Sequence, residues 1–234
     1  MKRHFLITLI LFISVLSINA QSNSEKATAI AKEVETAMGG IETYNNTHFI
    51  QWDFGKRTLF WDKWTGDVRI ENPEKNLVIL VNINSLKGKV YENDTLVTDN
   101  EKTKNLLTQA KNWWINDSYW LVMPWKLQDP GVTLTYVKTD ALPNGNKADV
   151  LQMTFDSVGV TPDNKYLLYV DQQDHLIKQW EYFKNFNDSE PKFSRPWDNY
   201  QKMGAILLSF DRSEFGPTNV VVKQDFDADI FTDL

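Results

Sequence analysis

Residues 112–127 read NWWINDSYWLVMPWKL and contain four of the nine tryptophans in the chain. Apolar residues in this stretch, and in the residues before it, recur at intervals of three and four, which is the period of a helix. Asp99-Asn100-Glu101 supplies a helix cap, Asn116-Asp117-Ser118 predicts a break and a new cap, and Pro124 ends the second, shorter helix. We therefore predict a helix–turn–helix insert whose aromatic side chains face apolar surroundings.

Segments with strand composition lie on both sides of this insert, separated by turn residues. They are residues 48–54, 58–64, 66–72, 76–83 and 87–93 before it, with a hairpin at 89–98, and 132–139, 149–155, 166–172, 175–186, 203–211 and 218–226 after it. Residues 24–46 have the apolar spacing of an amphipathic helix. The order predicts a mostly β (α+β) fold, with about ten or eleven strands in one antiparallel meander.

The first residues resemble a secretory signal peptide. Lys2 and Arg3 precede an apolar run from Phe5 to Ile18, and the small Ala20 stands at a plausible cleavage point. The alternative is an uncleaved anchor helix, although the run is short for a membrane span. We expect a signal peptide at residues 1–20 and a single domain at residues 21–234.

The charge of the chain restricts its partners. The leader carries two of the 25 basic residues and none of the 31 acidic ones, so residues 21–234 have a net charge of −8. Such a chain is poorly suited to nucleic acid or to electrostatic binding on anionic lipid. The chain has no cysteine, which excludes disulfides, thiol nucleophiles and a lipid-modified cysteine.

Signals for catalysis are weak. His48 and His175, the two histidines after the leader, lie in different segments without a motif around them, and no catalytic or nucleotide-binding signature is present. We expect no enzyme activity, no cofactor and no metal site. Asp225, Asp227 and Asp229 have the alternate spacing that begins a calcium loop, but the glycine of such a loop is missing, so a solvated strand edge is the favoured interpretation.

Several segments resemble the LolA/LolB-like periplasmic proteins, the outer-membrane lipoprotein carrier-like family. AMGGIETYNN before an aromatic strand, the hairpin KGKVYENDTLVTD and the segment NDSYWLVMPWKLQDPGVTL are similar to segments of secreted members. The resemblance covers nearly all of residues 21–234. It implies a curved, incompletely closed antiparallel β-sheet, a half-barrel, whose concave face is covered by the N-terminal helix and the helical insert.

The resemblance also implies a function. The space between sheet and helices would take up lipid or the acyl chains of lipoproteins. One departure argues against lipoprotein transfer in the strict sense. The carriers have a lysine-arginine-proline step after the second strand, and this chain has Lys63-Trp64-Thr65 there, with Arg69 as the nearest arginine.

We therefore predict an exported, non-catalytic carrier in the periplasm or outside the cell, with a lipid or a lipidated protein as partner. The expected ligand-lining residues are aromatic or methionine: Trp64, Trp113, Trp114, Tyr119, Trp120, Met123, Trp125 and Trp180. Two alternatives stay open for them. They could be tightly packed core, or they could form the interface of an envelope protein-interaction or sensor module that uses the same fold.

Overall fold

The computed structural model describes residues 22–156, 159 and 161–234, which group into two compact units. The first unit comprises the described residues up to Ala37 together with Lys126–Arg195, and the second comprises Met38–Trp125 and Pro196–Leu234. The chain therefore crosses between the units three times. The predicted signal peptide lies outside the described residues, and the single domain at 21–234 stays a prediction.

The second unit is built on a seven-stranded antiparallel sheet. Its strands are β1 (Phe49–Phe54), β2 (Arg57–Asp62), β3 (Asp67–Asn72), β4 (Leu77–Asn82), β5 (Gly88–Glu92), β6 (Thr95–Leu96) and β14 (Thr218–Lys223). They are ordered β14-β1-β2-β3-β4-β5-β6, so the sheet is open at β14 and β6. Alternation places Leu59, Ile70, Ile79 and Val90 in one row across β2 to β5, all buried.

One long helix, α3 (Asn100–Val122), packs against β4 and β5 of this sheet. Asp99 caps it by accepting a hydrogen bond from the Lys102 amide, as predicted. The predicted break at Asn116-Asp117-Ser118 was wrong, and the helix runs through it. Asp117 is fully buried and its carboxylate accepts two hydrogen bonds from Arg57, so it does not compete for the helix backbone.

Shorter elements complete the second unit. They are α2 (Ile41–Asn45), the 3₁₀ turns Pro73–Lys75 and Ala228–Phe231, and the hairpin of β12 (Asp198–Met203) and β13 (Ile206–Asp211). The 3₁₀ turn Met123–Lys126 ends at Lys126, which belongs to the first unit. The strand edge predicted for Asp225, Asp227 and Asp229 was wrong. Residues 225–227 are irregular, and Asp227 caps the last 3₁₀ turn by accepting from the Asp229 amide.

The first unit has a five-stranded antiparallel sheet. Its strands are β7 (Val132–Ala141), β8 (Lys147–Phe155), β9 (Lys165–Asp171), β10 (Ile177–Phe183) and β11 (Phe193–Pro196), in the order β11-β10-β9-β8-β7. Helix α1, residues 22–37, joins it through an ion pair of Lys26 with Asp149 and a contact of 3.3 Å between Glu33 Oε2 and His175 Nδ1. A buried face of small and aliphatic residues on α1, including Ala27, Ile30, Ala31 and Val34, agrees with the predicted apolar spacing.

The predicted fold class is confirmed. The described residues are mostly β, in curved antiparallel sheets that stay open, with an N-terminal helix and a helical insert. The described strands number fourteen, in three sheets rather than one meander. None of the described helices is both long enough and apolar enough to span a membrane.

Candidate functional site

Six of the eight predicted ligand-lining residues lie on one segment of the second unit. Trp113, Trp114, Tyr119 and Trp120 are on α3, and Met123 and Trp125 are on the 3₁₀ turn that follows. The other two residues are not part of this segment. Trp64 lies in the turn between β2 and β3, and Trp180 lies on β10 in the first unit.

A chain of three indoles joins α3 to the sheet. Trp114 meets Trp61 edge to face with ring centroids 5.1 Å apart, and Trp61 meets Trp52 in the same way at 6.5 Å. Pairing between β1 and β2 sets Trp52 opposite Leu59 and Trp61 opposite Ile50, so both indoles lie on the face that α3 covers. Edge-to-face contact is a favourable arrangement for aromatic rings.

Four of the indole N–H groups in this region have no acceptor among the described residues. The Nε1 atoms of Trp52, Trp61, Trp114 and Trp125 are buried, and none has a hydrogen-bond partner among the described residues. An indole nitrogen is a donor only, and a buried donor without an acceptor costs about 1–3 kcal/mol. The face beneath α3 therefore combines a large apolar area with several unmet donors.

The far end of the segment is core. Met123 and Trp125 are buried, and the Trp125 ring stacks on Tyr44 with centroids 4.7 Å apart and planes 3° apart. Trp120, only partly buried, meets Phe54 at 5.6 Å. The ligand-lining alternative therefore applies best to the half-buried aromatics of α3, Trp113, Trp114, Tyr119 and Trp120.

A buried ion pair fixes the C-terminal half of α3 to the sheet. Arg57 on β2 donates from Nε to Asp117 Oδ2 at 2.7 Å and from Nη2 to Oδ1 at 2.9 Å. Burial raises the pKa of Asp117, while the hydrogen bonds from Arg57 and Asn116 act in the opposite direction. Sequence reasoning missed this pair, although Asp117 lies three and four residues after Trp114 and Trp113 and so shares their helix face.

A second buried cation holds the end of α3. Arg212, fully buried after β13, donates from Nη2 to the Trp120 carbonyl at 3.1 Å and from Nη1 to Ser209 Oγ at 2.8 Å. Its guanidinium lies over the buried Trp197 ring, 3.2 Å from the centroid. Burial lowers the pKa of Arg212 to about 9, which leaves it charged at neutral pH. No sequence pattern pointed to this contact.

Trp64 has different surroundings. It is 60% exposed, stacks on His48 at 3.8 Å, and donates from Nε1 to the Asn45 carbonyl at 3.3 Å. His48 Nε2 lies 3.2 Å from Asp62, whereas His175 pairs with Glu33 in the first unit. Within the described parts of the chain, no group of three histidine or acidic residues could hold a metal ion.

Trp180 belongs to an aromatic cluster of the first unit. It is buried on β10, where it stacks on Tyr166 with centroids 5.5 Å apart and planes 2° apart, and Phe193 meets its ring at 5.5 Å. Its surroundings are the rings of neighbouring strands, which are a sufficient structural reason for its burial.

Comparisons with known proteins gave distant likenesses. No family model and no curated protein matches the chain. Among solved structures, a DUF1329 family protein from Desulfovibrio piger is similar at 9% identity over 88% of this chain and 96% of that one, with a TM-score of 0.44. MucB, solved in complex with MucA(peri), is similar at 12% identity over 88% of this chain and 58% of that one, with a TM-score of 0.24.

Proposed function

We propose that this chain is an envelope protein that binds an amphiphilic ligand, a lipid or an acyl chain, between α3 and the covered face of the seven-stranded sheet, without catalysing a reaction. One observation carries the proposal. The indoles of Trp52, Trp61 and Trp114 form a continuous apolar row whose buried N–H donors have no acceptor among the described residues.

The chemistry of such a ligand matches both properties of this row. An acyl chain gains about 0.8 kcal/mol for each CH₂ that leaves water, and it needs contact area rather than hydrogen bonds. Its ester or carboxylate oxygens accept hydrogen bonds and would satisfy the indole donors. A ligand of pure hydrocarbon would use the area and leave the donors unmet.

Entry of a ligand requires α3 to move. Trp52 is fully buried and Trp61 nearly so, which means that the row is covered while α3 lies on the sheet. The ion pair of Arg57 with Asp117 and the bond from Arg212 to the Trp120 carbonyl oppose that movement. Trp113 and Tyr119 are half-buried and lie about 120° apart around α3, so each marks one flank of the helix where an acyl chain would first make contact.

The first test is recovery of the ligand. The protein is purified from its native host without detergent, examined by native mass spectrometry, and extracted for lipids. We expect a discrete lipid adduct whose mass does not change on prolonged incubation, because the proposed role is sequestration and not hydrolysis. Recovery of no lipid, or recovery of only its cleavage products, would contradict the proposal.

The second test measures binding with a defined probe, a fatty acid brominated along its chain, which quenches nearby tryptophans. We expect saturable quenching in the wild type. Trp114→Phe keeps a ring but removes one donor, so affinity should fall about 2- to 10-fold, the value of one hydrogen bond. Trp64→Phe is the matched control, since Trp64 lies apart from the row, and it should leave affinity unchanged. Equal loss in both variants would overturn the site.

A further inference from the structure

The C-terminal residues 224–234, which we call the strap, cover the face of the seven-stranded sheet opposite to α3. Pairing across β2 to β5 sets Phe60, Arg69, Leu80 and Lys89 in one row, which alternation places on the face turned away from α3. Three of the strap's backbone carbonyls accept hydrogen bonds from Arg69 and Lys89 of this row. The strap therefore lies across the sheet and does not extend it.

Basic side chains hold the strap through its backbone. Arg69 Nη1 donates to the carbonyls of Ile230 at 3.1 Å and Asp233 at 2.8 Å, and Lys89 Nζ donates to that of Thr232 at 2.8 Å. His48 Nδ1 lies 3.0 Å from the Gln224 carbonyl and donates to it. Bonds to carbonyls select an extended or irregular backbone and place no demand on the side chains of the segment that is bound.

Contacts between aromatic rings are the part of the strap's binding that depends on particular side chains. Phe226 stacks on the buried Phe49 with centroids 4.6 Å apart, and Phe231 meets the same ring edge to face at 6.4 Å. Phe226 and Phe231 also meet each other at 5.7 Å. Two aromatic side chains five positions apart thus converge on one buried ring of the sheet.

The strap is acidic, and the row beneath it contains the basic residues Arg69 and Lys89. The strap contains four aspartates and no lysine, arginine or histidine. Its Asp233 carboxylate lies 4.0 Å from Lys89 Nζ, whereas Arg69 pairs through Nε with Glu71 and bonds to the strap through carbonyls. Asp225, Asp227, Asp229 and Asp233 are exposed, and the rings of Phe226 and Phe231 are only partly buried. A segment with so little buried surface opens at low free energy compared with the strands beneath it.

We propose that this face is a peptide-binding surface which the strap occupies as an intramolecular ligand. Its external partner would be a protein that presents an acidic, irregular segment with two aromatic side chains about five residues apart, because such a segment repeats the chemistry of the strap. Binding displaces the strap. The inference does not depend on the lipid proposal, which concerns the opposite face of the sheet.

The test uses the full chain carrying Phe226→Ala and Phe231→Ala, which weakens the strap without removing it. The probe is a fluorescently labelled synthetic peptide with the sequence of residues 224–234. Anisotropy should show saturable binding to this variant and at least about tenfold weaker binding to the wild type, whose own strap competes. A peptide with both phenylalanines replaced by alanine should bind at least about tenfold more weakly than the original.

Matched variants locate the surface. Adding Arg69→Met to the double variant should weaken peptide binding severalfold, whereas Lys111→Met, which removes an equal charge from α3, should not change it. Equal binding of the peptide to wild type and variant, or equal binding of the alanine peptide, would overturn the proposal. A dimer of the wild type formed by exchange of straps, seen by sedimentation, would also overturn it and would assign the surface to a second copy.

Hydrogen exchange on the wild type keeps the proposal testable if the double variant does not fold. We expect the amides of the strap to exchange much faster than those of β1 to β3. Arg69→Met should accelerate amide exchange in the strap and leave exchange in the strands unchanged. Protection of the strap equal to that of these strands would mean that it is a fixed part of the core and would contradict its role as a displaceable ligand.

Discussion

Asp117 illustrates how the burial of one residue changes its role. An aspartate between asparagine and serine normally favours a helix end, because its carboxylate can bond to free backbone amides. Here Arg57 donates hydrogen bonds to both carboxylate oxygens, so the helix continues. The Asp117 carboxylate then links α3 to β2. The partner comes from a strand sixty residues away in sequence, which local spacing cannot reveal.

Removal of Arg57 should therefore destabilise the chain through the charge that it leaves behind. We expect Arg57→Met to lower the free energy of unfolding by about 3–5 kcal/mol near pH 7, as for other broken buried pairs. Adding Asp117→Leu should recover most of this loss, because it removes the buried carboxylate that Arg57→Met leaves without its cation. Urea denaturation of the wild type and of the two variants measures both effects.

The loss in Arg57→Met should shrink as the pH falls. Burial raises the pKa of Asp117, so the folded state favours the protonated acid. For a carboxyl with a raised folded pKa, stability is fully present below the unfolded pKa and falls as pH rises through the folded one. Without Arg57, the decrease in the free energy of unfolding with rising pH should become steeper. An equal loss near pH 4 and near pH 7 would show that packing, and not the unpaired charge, is responsible.

At the scale of elements, the sequence predicts strands whose apolar residues alternate or run continuously. It does not predict strands made mostly of polar residues. Residues 76–83 and 149–155 have apolar positions of period two or continuous apolar runs, and both are strands of the structure. Strand β12 reads DNYQKM and lacks that pattern, so the sequence predicts no strand between residues 186 and 203. Its pairing with β13 supplies the order that its own sequence does not encode.

The packing of α3 on β5 depends on the absence of a side chain at Gly88. A Cβ at this position would lie 1.9 Å from the Leu80 carbonyl oxygen and 2.9 Å from Leu107 Cδ2 on α3. We expect Gly88→Ala to lower the free energy of unfolding by about 1–3 kcal/mol, the usual cost of overpacking. It should also accelerate hydrogen exchange in α3.

The neighbouring substitution Lys87→Ala is the control for Gly88→Ala. Lys87 is exposed, so its removal should change stability by less than about 0.5 kcal/mol. If both substitutions had the same small effect in thermal denaturation, α3 would not be held closely against β5, and the proposed resistance of α3 to ligand entry would be weakened.

At the scale of the whole molecule, the candidate site was predictable only in part. The tryptophans of α3 stood out because of their density, and two of them contact rings of the sheet, Trp114 with Trp61 and Trp120 with Phe54. Their partners Trp52 and Trp61 are isolated in the sequence and become neighbours only through the register of β1 and β2. Trp64 lies in a turn of the second unit and Trp180 on a strand of the first unit, and the composition of their segments does not reveal either location.

The two units should also respond differently to alkali. Burial raises the pKa of Tyr166, Tyr169 and Tyr182, all on β9 and β10 of the first unit. The folded state therefore favours the neutral phenols, and their contribution is fully present below the ordinary tyrosine pKa of about 10 and is lost as pH rises above it. Hydrogen exchange at increasing pH should show the five-stranded sheet losing protection before the seven-stranded one.

Tyr166→Phe provides the check on this assignment. It removes a buried phenol, so the alkaline loss of stability should be smaller and phenolate absorbance should rise less steeply on unfolding. If the five-stranded sheet of the variant lost protection at the same pH as that of the wild type, the raised pKa of Tyr166 would not contribute to alkaline unfolding.

The pairing of β1 with β14 has a consequence for biosynthesis. Asn219 on β14 donates from its side-chain amide to the Asp53 carboxylate on β1, across 166 residues of chain. A ribosome must therefore synthesise the whole five-stranded sheet, which is contiguous from β7 to β11, before β1 gains its second neighbour. Until then β1 presents an unpaired edge, the kind of surface that associates with other nascent chains. The five-stranded sheet can therefore be complete before the seven-stranded sheet, whose first strands are synthesised earlier, gains its last strand β14.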